Sequence, residues 1–162
     1  MTRQASAAAP HGPDTLWLLD TDVVSELRRA PLGRCDPGVR RWAATVHSSR
    51  TFLSAVTVEE LHRGVLRKER VDPAQGATLR RWLEEDVLAA FSGRILAVDA
   101  DVARRAASLH VPDPAPFRDA CIAATALVSG LVMATGNVRD FARFDRLTVH
   151  DPWERSAGGP DR

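Results

Sequence analysis

Short, almost wholly apolar runs separated by stretches of helical periodicity set the strongest limit on what this 162-residue chain can fold into. Four runs are clear, LWLLD (16–20), TFLSAV (51–56), RILAV (94–98) and LVMAT (131–135), and LTVH (147–150) is a weaker fifth. None alternates apolar with polar residues as a strand with one wet face does, so each reads as a strand buried on both faces of a parallel sheet. Parallel neighbours need long crossovers. The segments between the runs supply them, with helical patterns over roughly 22–29, 37–48, 58–70, 74–91, 99–110, 117–129 and 138–143. The expected fold is α/β: a doubly wound sandwich with a central, mostly parallel sheet of four to five strands flanked by helices.

The length suits one domain, expected over 15–153. Residues 1–14 and 154–162 are rich in small and polar residues and are expected to be flexible extensions. Lys and Arg total 22 against 21 Asp and Glu, a net charge of +1. That balance excludes a global pull toward nucleic acid or anionic lipid, so any nucleic-acid binding must come from local patches. Cys35 and Cys121 lie far apart, with neither the pairing of a disulfide framework nor zinc-ligand spacing, and a reducing cytoplasm is the simplest location. No apolar stretch approaches a membrane span, so no membrane association is expected.

In a doubly wound sheet, ligand sites form outside the carboxyl ends of the strands. Asp20 closes the first run there, and a carboxylate ending so apolar a segment is costly to desolvate without a partner. Asp22, two residues on, is expected to cap the next helix. Thr57 and Glu60 form a T-x-x-E capping box after the second run, which would put Glu60 in a first helical turn. Asn137 and Asp140 repeat the arrangement after the fourth run, with Asn137 as cap. Asp119 falls in the first turn of PFRDACIAATA, whose alanines permit close packing, though pattern alone leaves its distance from Asp20 open. Each helical acid also has an ordinary structural reading, as a cap or as a complement to the helix dipole. Capping does not require all four to gather on one edge. Clustered carboxylates repel unless a cation compensates, so a divalent, oxygen-seeking ion such as Mg2+ or Mn2+ is implied, with phosphodiester hydrolysis the natural chemistry.

The segments LLDTDVVSEL, SAVTVEELHRGV, RDACIAATA and ATGNVRDFARF together closely resemble the PIN-domain family, and most of all its VapC and FitB-like toxins of bacterial type II toxin–antitoxin modules. The resemblance spans roughly residues 16–150. It implies a PIN-like sandwich and a Mg2+- or Mn2+-dependent endoribonuclease acting on RNA, usually a homodimer, held inactive by a cognate VapB- or FitA-like antitoxin. It carries catalytic and metal-binding roles onto Asp20, Glu60, Asp119 and Asp140, and supporting polar roles onto Thr21, Asp22, Ser25, Thr135 and Asn137. Asp22 stands where the family usually has Asn, Gly136 where an Arg is common, and VPDPAPF before Asp119 is unusually rich in Pro.

Two rival readings are kept. Asp20-Thr21-Asp22-Val23-Val24 also satisfies the D-x-D-x-[TV] motif of haloacid-dehalogenase-type phosphatases, with Ser54 and Lys68 as later motif residues and Asp20 as nucleophile. A catalytically idle PIN fold acting as binding partner or corepressor is the second. For RNA contact, Arg28 and Arg29 end the first helix and Arg63 and Arg67 follow Glu60; either pair could hold phosphates, or simply face solvent.

Overall fold

The computed structural model describes residues 11–153, so the expected tail 154–162 and the first ten residues of the expected extension lie outside the described part. Within that extension, His11 packs edge-on against Trp17, and the Asp14 carboxylate and carbonyl both accept from the Arg50 guanidinium at 2.8 and 2.9 Å.

All five apolar runs form strands: β1 (Trp17–Leu19), β2 (Thr51–Ser54), β3 (Ile95–Leu96), β4 (Val132–Ala134) and β5 (Val149–His150). They pair in the order β3-β2-β1-β4-β5, every neighbour parallel, with Leu18 opposite Phe52 on one side and Met133 on the other. Seven helices connect them: α1 (Thr21–Leu27), α2 (Pro37–Thr45), α3 (Ala55–Val71), α4 (Pro73–Arg81), α5 (Ala100–Leu109), α6 (Phe117–Ser129) and α7 (Val138–Phe141). The helix expected over 74–91 is α4 continuing into π-helical turns over Trp82–Leu88.

Because successive side chains on a strand point to opposite faces, each strand feeds two cores. Leu18 and Met133 pack with Ala106, Ile122 and Phe141 of α5, α6 and α7. Trp17 and Leu19 pack on the other face with Val23, Leu61, Val65 and Leu83. A fully buried side chain such as Leu18, Leu53 or Leu83 contributes roughly 1.5–3 kcal/mol, so both layers are needed to hold the sheet. On the first face, Ala120–Ala126 of α6 are buried throughout, and the small side chains set the helix close against the strands. On the second, Gly76 brings α4 against α3, where an added Cβ would stand 2.5 Å from Glu69 Cα. Among the described residues, no helix is long and apolar enough to cross a membrane.

Candidate active site

The strand order reverses between β1 and β4, and the crevice outside their carboxyl ends is where such sheets bind ligands. Asp20 follows β1 directly at this point and is only 8% exposed. Its Oδ1 accepts from the Thr21 amide at 2.9 Å and its Oδ2 from the Thr135 hydroxyl at 2.7 Å, so both oxygens are pinned. Thr135, fully buried just after β4, also accepts the Asn137 amide at 3.0 Å. Burial pushes the Asp20 carboxyl up to about 6; the Thr135 and Thr21 bonds oppose the rise, and the neighbouring Asp22 and Glu60 carboxylates add to it.

Asp20, not Asp22, therefore caps α1, which begins one residue earlier than expected. Asp22 lies in the first turn and accepts from the Val23 amide at 2.7 Å and from the Gly136 amide at 2.8 Å. Burial raises its pKa, the two amides restrain the rise, and Asp151 adds to it. Asp22 and Gly136 are thus bonded to each other, tying the start of α1 to the loop after β4.

The capping box expected at Thr57 is also corrected. β2 stops at Ser54, whose hydroxyl accepts the Val56 amide at 3.1 Å and caps α3 three residues earlier. Thr57 is consequently inside the helix, fully buried, with no hydrogen-bond partner for its hydroxyl. Glu60 moves from the first turn to the second, where Thr21 Oγ1 donates to its Oε2. Asp119 occupies the first turn of α6 and Asp140 that of α7, as expected. Asn137 precedes α7 but bonds no backbone amide with its side chain; its Nδ2 donates to Asp140 Oδ2 at 2.9 Å instead.

Asp119, whose distance from the other acids is open from sequence, lines one cleft with Glu60. Burial raises its pKa, Asp140 and then Glu60 raise it further, and Arg143 lowers it. Glu60 thus lies within interaction range of both Asp20 and Asp119, and the four acids form one linked group. Beside it opens a cleft of about 670 Å³, lined by Glu60 and Asp119 and walled by Val56, Val98 and Phe117, the last 72% exposed. Arg118 pairs with Glu59 at 3.2 Å on its rim.

The remaining sequence candidates divide. Ser25 is half-buried on α1, one turn beyond Thr21. Arg63 pairs with Glu59 at 3.9 Å and so borders the acid cleft, with Arg67 exposed a turn further on. Arg28 lies 5.5 Å over the Trp82 ring and lines a separate groove with Leu27 and Phe91, while Arg29 pairs with Glu26 at 3.0 Å. Sequence reasoning overlooked Asp151 and Arg143. Asp151 had a usable signal, because it follows β5 as Asp20 follows β1.

All four clustered acids offer hard oxygen donors, the set a Mg2+-like cation prefers. Among the described residues no three His, Cys, Asp or Glu side chains converge as a ready-made ion cage. A cation that keeps several of its own waters needs no closed cage, and mutually destabilised carboxylates around one crevice fit that demand.

Comparison with known proteins agrees with this fold. The PIN domain profile matches residues 17–147. The chain is 35% identical to the VapC ribonuclease Y4jK of Sinorhizobium fredii over 85% of this chain and 97% of that protein. It is 36% identical to the toxin FitB of Neisseria gonorrhoeae over 84% of this chain and 97% of the relative. The crystal structure of FitAcB from Neisseria gonorrhoeae superposes with a TM-score of 0.77 at 32% identity, covering 86% of this chain and all of that one. A profile match spanning nearly the whole sheet, and relatives aligned along almost their full length, establish that the chain belongs to the PIN domain family.

Proposed function

We propose that this chain is a divalent-metal-dependent endoribonuclease, a hydrolase of RNA phosphodiester bonds serving as the toxin of a toxin–antitoxin module. What supports the reading is that Asp20, Glu60, Asp119 and Asp140, carried by four separate segments, influence one another electrostatically in a chain from the end of β1, through Glu60, to Asp119 and Asp140. The names of the relatives, VapC ribonuclease and toxin FitB, support it. Solved neighbours described as FitAB bound to a DNA fragment and as FitAcB support a FitA- or VapB-like antitoxin as partner; the proposal includes a homodimeric toxin in the cytoplasm.

In this reading Asp20 and Asp119 are the principal ligands of Mg2+ or Mn2+, and Glu60 and Asp140 complete the site directly or through water. When bound, the ion supplies charge neutralisation at the phosphoryl group and activation of water for attack. The protein's part is to hold the carboxylates before the ion arrives. Thr135 orients Asp20 Oδ2, Thr21 orients Glu60 and Asn137 orients Asp140, each through its own hydrogen bond. Asp22 acts one step further out, fixing the loop that carries Thr135 and Asn137 through the Gly136 amide.

The phosphatase reading loses its footing here. Asp20 has both oxygens engaged and caps a helix, and Lys68 lies near the far end of α3, about 20 Å from its start. The test is direct. Purified protein with Mg2+ or Mn2+ should cut single-stranded RNA, chelation should stop it, and Asp119→Asn should lose cleavage while keeping the wild-type circular dichroism spectrum. Intact RNA under all conditions would refute the enzyme reading and favour the idle binding partner.

A further inference from the structure

A further cavity, of about 500 Å³, opens between the end of α5 and the segment after α7. Its lining includes three arginines, Arg105, Arg143 and Arg146, with Ser108 and a single carboxylate, Asp145. That acid does not neutralise the pocket: its nearest approach to Arg146 is 3.9 Å, and the two side chains are 96% and 83% exposed. An ion pair so open to solvent is weak and readily exchanged.

Two further observations set this cavity apart from an ordinary solvated face. Arg143 is fixed rather than splayed into solvent, since its Nη2 donates to the Pro114 carbonyl at 2.9 Å and its guanidinium lies 6.0 Å from the Phe144 ring. Arg143 follows Asp140 by three residues and bonds the segment that leads into α6, which carries Asp119, so the cavity adjoins two of the acid-bearing segments. Arg146 holds a backbone φ of 64°, the only positive φ outside glycine among the described residues. A long side chain in that conformation carries a conformational cost that glycine would avoid, and here the residue that bears it lines the basic pocket. Guanidinium groups grip phosphate oxygens through paired N–H donors, the geometry a polyphosphate strand requires.

We propose that Arg105, Arg143 and Arg146 form a phosphate-binding subsite that holds the sugar–phosphate backbone of the RNA strand next to the acid cluster. The proposal rests on the nuclease reading for the identity of the strand. It replaces the C-terminal end of α1 as the basic surface serving the site, because Arg28 borders a different groove and Arg29 is paired with Glu26.

The experiment measures binding and cleavage separately. Fluorescence anisotropy of a labelled single-stranded RNA is recorded in EDTA across a salt series for wild type, Arg105→Gln, Arg146→Gln and Arg146→Lys. Arg104→Gln serves as a control of equal charge change, because Arg104 is exposed on α5 and does not line the cavity. Losing one charge-assisted contact should weaken binding about five- to tenfold. Each loss should also flatten the slope of log K against log salt by about 0.7, the value for one phosphate contact on a single strand. Arg146→Lys should retain the slope, and Arg104→Gln should match wild type. Cavity variants that match Arg104→Gln, or a wild type that does not bind RNA, would overturn the subsite. Wild type that binds in EDTA with the expected variant pattern but never cuts RNA with Mg2+ or Mn2+ supports the subsite and overturns the nuclease reading alone. Variants that lose only an acidic protein partner, with RNA binding unchanged, also overturn it.

Discussion

At the scale of single residues, the site exchanges stability for a poised charge. Asp20 titrates near 6 in the folded protein against an ordinary value of 3.8, and burial is the largest cause. A carboxyl raised in this way favours the native state while protonated. The benefit is complete below about pH 4 and disappears as pH rises through 6, so ionised Asp20 costs on the order of 3 kcal/mol at pH 8 without metal. Asp20→Asn should therefore melt above metal-free wild type at pH 8, with the gap closing toward pH 4, while RNA cleavage is lost. A gap independent of pH in scanning calorimetry would contradict the assignment. Thr57 offers a second residue-scale test. Its buried hydroxyl has no partner, so Thr57→Val should stabilise the protein by about 1 kcal/mol, raising the urea midpoint without changing the slope.

Among the elements, α3 decides where Glu60 points, and its position is set at both ends. Ser54 starts it as soon as β2 stops pairing, and Asp72 ends it while capping α4 through the Gln75 amide at 3.0 Å. Two glycines of this hairpin should respond oppositely to alanine. Gly76 sits where a Cβ would meet Glu69 backbone atoms at 2.5 and 2.6 Å, which cannot swing aside as a side chain can. Gly76→Ala should cost at least about 2 kcal/mol and separate the two helices. Gly64 is exposed in the middle of α3, with nothing within 4 Å of an added Cβ. Gly64→Ala should gain up to about 1 kcal/mol, since alanine is the better helix former. Chemical denaturation of both variants checks the pair, and a similar loss at each position would show that the α3–α4 contact is not the constraint.

For the whole molecule, the proposed binding of an ion by repelling acids implies that folding is coupled to that ion. Any ligand that binds only the native state adds RT ln(1 + [L]/Kd) to stability. Mg2+ or Mn2+ should therefore raise the melting temperature of the wild type, EDTA should reverse the rise, and Asp20→Asn or Asp119→Asn should remove most of it. The rise should grow from pH 5 to pH 8, because Asp20 and Asp119 must be ionised to bind and both have raised pKa values. A metal-induced shift of equal size in the variants would place the ion elsewhere.

The fold class was legible because parallel strands buried on both faces must be apolar without alternation, and the five runs at 16–20, 51–56, 94–98, 131–135 and 147–150 carry that mark in composition alone. Asp20 was legible for the same reason, as a charge ending one of them. Capping residues were not, because Ser54 and Thr57 are both competent caps and Asp20 and Asp22 likewise. The choice between them depends on where sheet pairing stops, which is a contact with other strands. The reach of Asp119 to Glu60 and the bond between Asp22 and Gly136, 114 residues apart, depend on how α6 and the loop after β4 pack. Local sequence thus determined which chemical groups stand at the strand ends, through desolvation and periodicity. Only tertiary packing decided which of them meet, because proximity between distant segments is a property of the assembled sheet and its helices.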